Sequence, residues 1–113
     1  MASGAQISAT DMRRSTRHPV NYSLVAESLR EGDLKLHIAN ISSHGFMIDG
    51  GAGDIVRGDR LIVRLPVIGR IEAYCIWVVG DRAGFQFERL IRADDFSNLI
   101  KEIQPNPALR RRV

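Results

Sequence analysis

Val20-Asn21-Tyr22-Ser23-Leu24-Val25-Ala26 and Leu34-Lys35-Leu36-His37-Ile38-Ala39 flank the turn sequence Glu31-Gly32-Asp33, and their reading decides the fold. In the first run Val20, Tyr22, Leu24 and Ala26 fall on every second position. In the second, Leu34, Leu36 and Ile38 do the same. A period of two places apolar side chains on one face of an extended chain, so each run predicts a half-buried strand and the pair predicts a hairpin. The pattern repeats further on. Phe46-Met47-Ile48 is a short apolar run stopped by the loop Gly50-Gly51-Ala52-Gly53. Arg60 to Leu65 alternates between the turn Arg57-Gly58-Asp59 and Pro66. Ile68-Gly69-Arg70 turns the chain into its longest apolar strand, Ile71 to Val79. Gly80 to Gly84 reads as a loop, and Phe85-Gln86-Phe87 as the start of the last strand. Strands joined by short glycine-bearing turns predict an antiparallel barrel or sandwich.

The period then changes. Phe96, Leu99, Ile100 and Ile103 stand at i, i+3, i+4 and i+7, one face of a helix, with Asp94 and Asp95 at its positive end and Lys101 in its last turn. Pro105 and Pro107 prevent its continuation. So short a helix must pack its apolar stripe on the barrel or on a partner.

Composition bounds the function. At 113 residues with 44% apolar and 26% charged residues, the sequence suits one globular domain. The net charge of +3 resides at the ends: residues 31–88 carry six basic and eight acidic groups, and the flanking segments carry the excess of arginine. The longest uncharged apolar stretch, Ala73 to Gly80, is too short to span a membrane, and the first residues lack a signal-peptide core. The single cysteine, Cys75, forms no internal disulfide and reads as a small buried thiol. No Cys/His cluster has zinc spacing. A cytoplasmic protein without a structural metal or cofactor is expected. No activated-serine motif, phosphate loop or HExxH sequence supports catalysis. His37 falls on the polar side of its strand and His44 in a loop.

Two stretches carry recognition chemistry. The first holds Arg13, Arg14 and Arg17, whose guanidinium groups offer planar donors for phosphate and flat faces for stacking on a base. By itself this stretch also describes a basic tail. The second is Asn40-Ile41-Ser42-Ser43-His44-Gly45, in which Asn40 and Ser42 can present hydrogen-bonding groups to a purine edge. Gly45 there can take a positive φ or let a ligand approach the backbone.

Together and in this order the two stretches resemble the PilZ domain family, which has an RxxxR motif before its first strand and a [DN]xSxxG motif after its second. Here these read Arg13-Arg14-Ser15-Thr16-Arg17 and Asn40-Ile41-Ser42-Ser43-His44-Gly45. Arg17-His18-Pro19-Val20 is similar to the family's approach to that first strand. Ile76-Trp77-Val78-Val79 followed by Gly84-Phe85-Gln86-Phe87 is similar to its last hairpin. The likeness runs from residue 13 to about 103. It implies an all-β fold, a six-stranded antiparallel barrel with a C-terminal α-helix, in a non-catalytic bacterial second-messenger receptor for cyclic di-GMP. Arg13 and Arg17 would hold guanine and phosphate, with Arg14 a further candidate. Asn40 and Ser42 would contact guanine, and Gly45 would shape the loop. Asn40 stands where many members have aspartate, which removes an ionic contact.

The expected organisation is a flexible N-terminus over 1–12, the PilZ-like domain over 13–104 and a basic tail over 105–113. Residues 12–19 are expected to be mobile until the ligand orders them as a clamp. With no second domain evident, output would pass through an unidentified protein partner. Two alternatives compete. One is a degenerate adaptor that binds only protein. The other is a small nucleic-acid-binding barrel, disfavoured because most of the seven aromatic residues fall on core positions rather than on a stacking surface.

Overall fold

A computed structural model describes residues 17–103. Six strands close into an antiparallel barrel: β1 (His18–Ser28), β2 (Gly32–Ile41), β3 (Gly45–Asp49), β4 (Arg60–Leu65), β5 (Gly69–Val79) and β6 (Arg82–Phe87). Their order around the barrel is β1-β2-β3-β6-β5-β4, with β4 returning to β1 through Glu27↔Ile62 and Ser28↔Leu61. The helix α1 (Ala93–Glu102) follows. The expected six-stranded barrel with a C-terminal helix is therefore the observed fold.

Alternation fills the interior. Val20, Ala26, Leu36, Ile38, Leu61, Val63, Ile71, Ala73 and Cys75 are all buried. Phe46 and Phe85, directly opposed across β3 and β6, stack with centroids 4.9 Å apart, and Phe87 tilts onto Phe46 at 5.6 Å. Such cross-strand aromatic pairs fix register as well as adding buried area. Antiparallel order sorts the connections between two rims. The β1–β2 turn, the end of β3, the β5–β6 turn and the start of β4 share one rim. The start of β1, the β2–β3 connection, the β4–β5 turn and the end of β6 share the other.

Strand boundaries differ from the sequence reading in instructive places. Gly80-Asp81 alone makes the β5–β6 turn, with Gly80 at φ 60, so Arg82 to Gly84 are strand rather than loop. β1 starts at His18, which pairs with Ile41. Register shifts interrupt β1/β2 between Pro19 and Tyr22, β2/β3 between Ile38 and Asn40, and β5/β6 between Cys75 and Trp77. The second shift changes the phase of β2. Strict alternation after Leu36 and Ile38 would carry Asn40 inward. Instead Ile41 is buried in the core and Asn40 is left half-buried.

Candidate functional site

The β2–β3 connection is tied down at each residue. Ser42 N–H donates to the Gly45 carbonyl at 2.8 Å, and the Ser42 hydroxyl accepts the His44 N–H at 3.2 Å. The Ser43 carbonyl accepts the Ile91 N–H at 3.0 Å, and the His44 carbonyl accepts the Phe87 N–H at 2.8 Å. Ser42 is only 4% exposed. Gly45 is required for a reason the sequence did not disclose. Its φ is not in the left-handed region; a Cβ there would overlap the Phe85 carbonyl oxygen, because β6 runs hard against it.

Arg17 precedes β1, and Pro19 pairs with Asn40, so the chain brings Arg17 to the β2–β3 connection. The Arg17 guanidinium donates to Asn40 Oδ1 at 3.3 Å, while Asn40 Nδ2 lies 3.7 Å from Met47 Sδ. Arg17, Ser42 and Gly45 line one narrow cleft. Its other wall comes from Ile76, Trp77 and Gly84. Trp77 pairs with Gly84, and a Cβ at Gly84 would overlap the indole, so the glycine is what lets the ring approach β6 there. The enclosed volume, about 10 Å³, holds no more than a water-sized group, so any larger ligand would lie across its mouth. Arg13 and Arg14 lie outside the described residues, as do residues 12–16 of the expected clamp; His18 and Pro19 belong to β1.

Sequence reasoning singled out Arg17, Asn40, Ser42 and Gly45 but not Trp77 as a wall of the cleft. The signal that could have found it is Gly84 two residues before the last strand's Gln86, a small residue opposite a large ring. A larger hollow of about 630 Å³ lies on the other side of the same segments, lined by His18, Ser43 and His44 and by α1. It is predominantly apolar, and none of Arg17, Asn40, Ser42 or Gly45 lines it.

Cys75 and His37 sit in structural rather than chemical settings. Burial pushes the Cys75 thiol up, and its Sγ lies 3.4 Å from the Trp77 carbonyl. That is the environment of an unreactive core cysteine. His37 hydrogen-bonds Asn21 across β1 and β2. Among the described residues no group of three or more His, Cys, Asp or Glu side chains could hold a metal ion, and no helix is long and apolar enough to cross a membrane.

Comparison with known families gives a match to the family described as PilZ domain over residues 11–103. Comparison with curated proteins gave no match.

Proposed function

The chain belongs to the PilZ domain family, a family of cyclic di-GMP receptors whose domains generally bind rather than catalyse, and on that premise we propose that it is itself a cyclic di-GMP receptor acting through a protein partner. The observation that carries this reading is the hydrogen bond from Arg17 to Asn40 beside Ser42 and Gly45, which joins the two motifs at one cleft. The ligand has two anionic phosphates and two guanines. A guanidinium can grip the first bidentately and stack on the second. Arg17, released from Asn40 or sharing it, takes phosphate or guanine at the mouth of the cleft. Arg13 and Arg14 close over the ligand from the preceding segment. Asn40 offers both a donor and an acceptor to a guanine edge, and Trp77 gives the mouth an aromatic wall.

Selectivity tests the pocket against general basic attraction. Asn40 carries no charge, so purely electrostatic binding would ignore its loss. In Asn40→Ala, cyclic di-GMP binding should fall several-fold, as loss of one base-edge hydrogen bond of about 0.5–1.5 kcal/mol implies. Its preference over cyclic di-AMP should fall with it. The ratio of the two dissociation constants at fixed salt is the measurement. An unchanged ratio in folded protein would remove Asn40 from guanine recognition.

A further inference from the structure

The two motif segments have two sides. Arg17, Ser42 and Gly45 face the narrow cleft, while their neighbours His18, Ser43 and His44 face the 630 Å³ hollow. The far wall of that hollow is a stripe of α1: Ala93, Phe96, Ser97, Ile100 and Lys101, at i, i+3, i+4, i+7 and i+8. The helix thus divides its apolar residues. Leu99, and Ile103 just beyond the helix end, are buried in the barrel core, whereas Phe96 and Ile100 are only half-buried and look into the hollow. His18 braces Phe96, ring centroids 5.2 Å apart.

The hollow opens onto further apolar surface. Leu90 lines it and is 59% exposed. Leu90 and Ile91 also line an adjoining hollow of about 200 Å³ that reaches Ile68 and Val67, and Val67 is 53% exposed. Cations predominate around this surface. Lys101 stands at one end; Arg92 and Arg89 stand at the other, with Asp95 as the acidic member and Glu88 paired to Arg89 at 3.2 Å. Asp94 and Glu102 line neither hollow.

We propose that this groove is a docking site for an acidic amphipathic helix of a partner protein, laid along α1 with its apolar stripe over Leu90, Phe96 and Ile100. A helix is the fitting shape because the exposed stripe follows helical spacing, and ridges of one helix pack into the grooves of another. Acidic character follows from the cationic rim, where complementary charge selects partner and orientation. The chain's own terminal segment Ala108-Leu109-Arg110-Arg111-Arg112 has the wrong charge for that rim. The proposal deepens the receptor reading by naming the class of partner. It rests on that reading only in taking the chain to act through a protein partner, since docking itself requires no nucleotide.

The test titrates the full chain into a fluorescein-labelled peptide of about 14 residues, long enough to form a helix on binding, with leucines at i, i+3, i+4 and i+7 and glutamates elsewhere. Anisotropy should report a dissociation constant on the order of tens of micromolar, rising about tenfold in Leu90→Glu and about threefold in Lys101→Glu. The same peptide with lysines for glutamates should not bind. Amide shifts should centre on Leu90, Phe96 and Ile100. Cyclic di-GMP titration of Leu90→Glu, a residue that does not line the cleft, reads the receptor hypothesis separately. Equal affinity for the two peptides, or indifference to Leu90→Glu, would overturn the proposal. So would self-association of the chain through Leu90 in sedimentation, or contacts from Leu109 to Phe96 in the free protein, which would give the groove to a second copy or to the chain's own tail.

Discussion

Arg17 is exposed and its guanidinium bonds the half-buried Asn40 side chain at the surface, so its loss should cost little stability, within about 0.5 kcal/mol. Its loss from a charge-assisted contact to ligand should cost roughly 1.5–3 kcal/mol, more than tenfold in affinity. Arg17→Ala therefore separates recognition from folding. Calorimetric titration alongside a thermal melt should show weakened cyclic di-GMP binding at an unchanged melting temperature. Gly45 behaves oppositely. Gly45→Ala forces a methyl group into the Phe85 carbonyl and must part β3 from β6. Overpacking costs about 1–3 kcal/mol or more, so the melting temperature should drop by several degrees, on the order of 4–8 °C per kcal/mol for a domain of this size. An unshifted melt would show that the two strands can separate freely there. At this scale the motif residues were legible but their surroundings were not. Asn40 would sit inside the barrel if β2 alternated strictly; the register shift after Ile38 exchanges it for Ile41, and a bulge leaves no mark in a hydropathy pattern.

Among the elements, the β1–β2 turn is fastened to the long β3–β4 connection by Arg30. Its guanidinium donates to both carboxylate oxygens of Asp59, at 3.2 and 2.8 Å, and to the Asp54 carbonyl. Asp59 also accepts the Val56 N–H at 3.0 Å, and its own carbonyl accepts the Cys75 N–H at 2.9 Å. The hydrogen bond from Arg30 holds the Asp59 carboxyl below the usual carboxylate range, against the opposing effect of burial. A carboxyl whose folded pKa is depressed stabilises the fold above its unfolded value near 4, and that contribution disappears as pH falls through the folded value. Urea unfolding from neutral pH down into the acid range should therefore show a stability loss that is smaller in Asp59→Asn. Parallel curves for the two proteins would mean that the pair contributes nothing. The helix was legible from its i, i+3, i+4, i+7 stripe, but the stripe does not reveal that Leu99 and Ile103 enter the core while Phe96 and Ile100 border the groove. That division is decided by the barrel, through His18 and the β2–β3 connection.

The whole molecule was legible because a closed barrel needs alternation on every strand, and alternation is what a sequence displays most openly. Closure also explains the position of the site. Antiparallel order brings the start of β1, the β2–β3 connection and the end of β6 to one rim, so residues 17 and 40–45 meet although 23 residues separate Arg17 from Asn40. In the proposed receptor this meeting point forms part of the cyclic di-GMP site. Calorimetric titration of the full chain with cyclic di-GMP, with GMP and GTP as controls, decides whether it does. Saturable heat is expected, with a dissociation constant on the order of micromolar, about −8 kcal/mol, and far weaker binding of the mononucleotides. Absence of heat with folded protein at ligand concentrations on the order of hundreds of micromolar would contradict it and leave a barrel that binds protein alone.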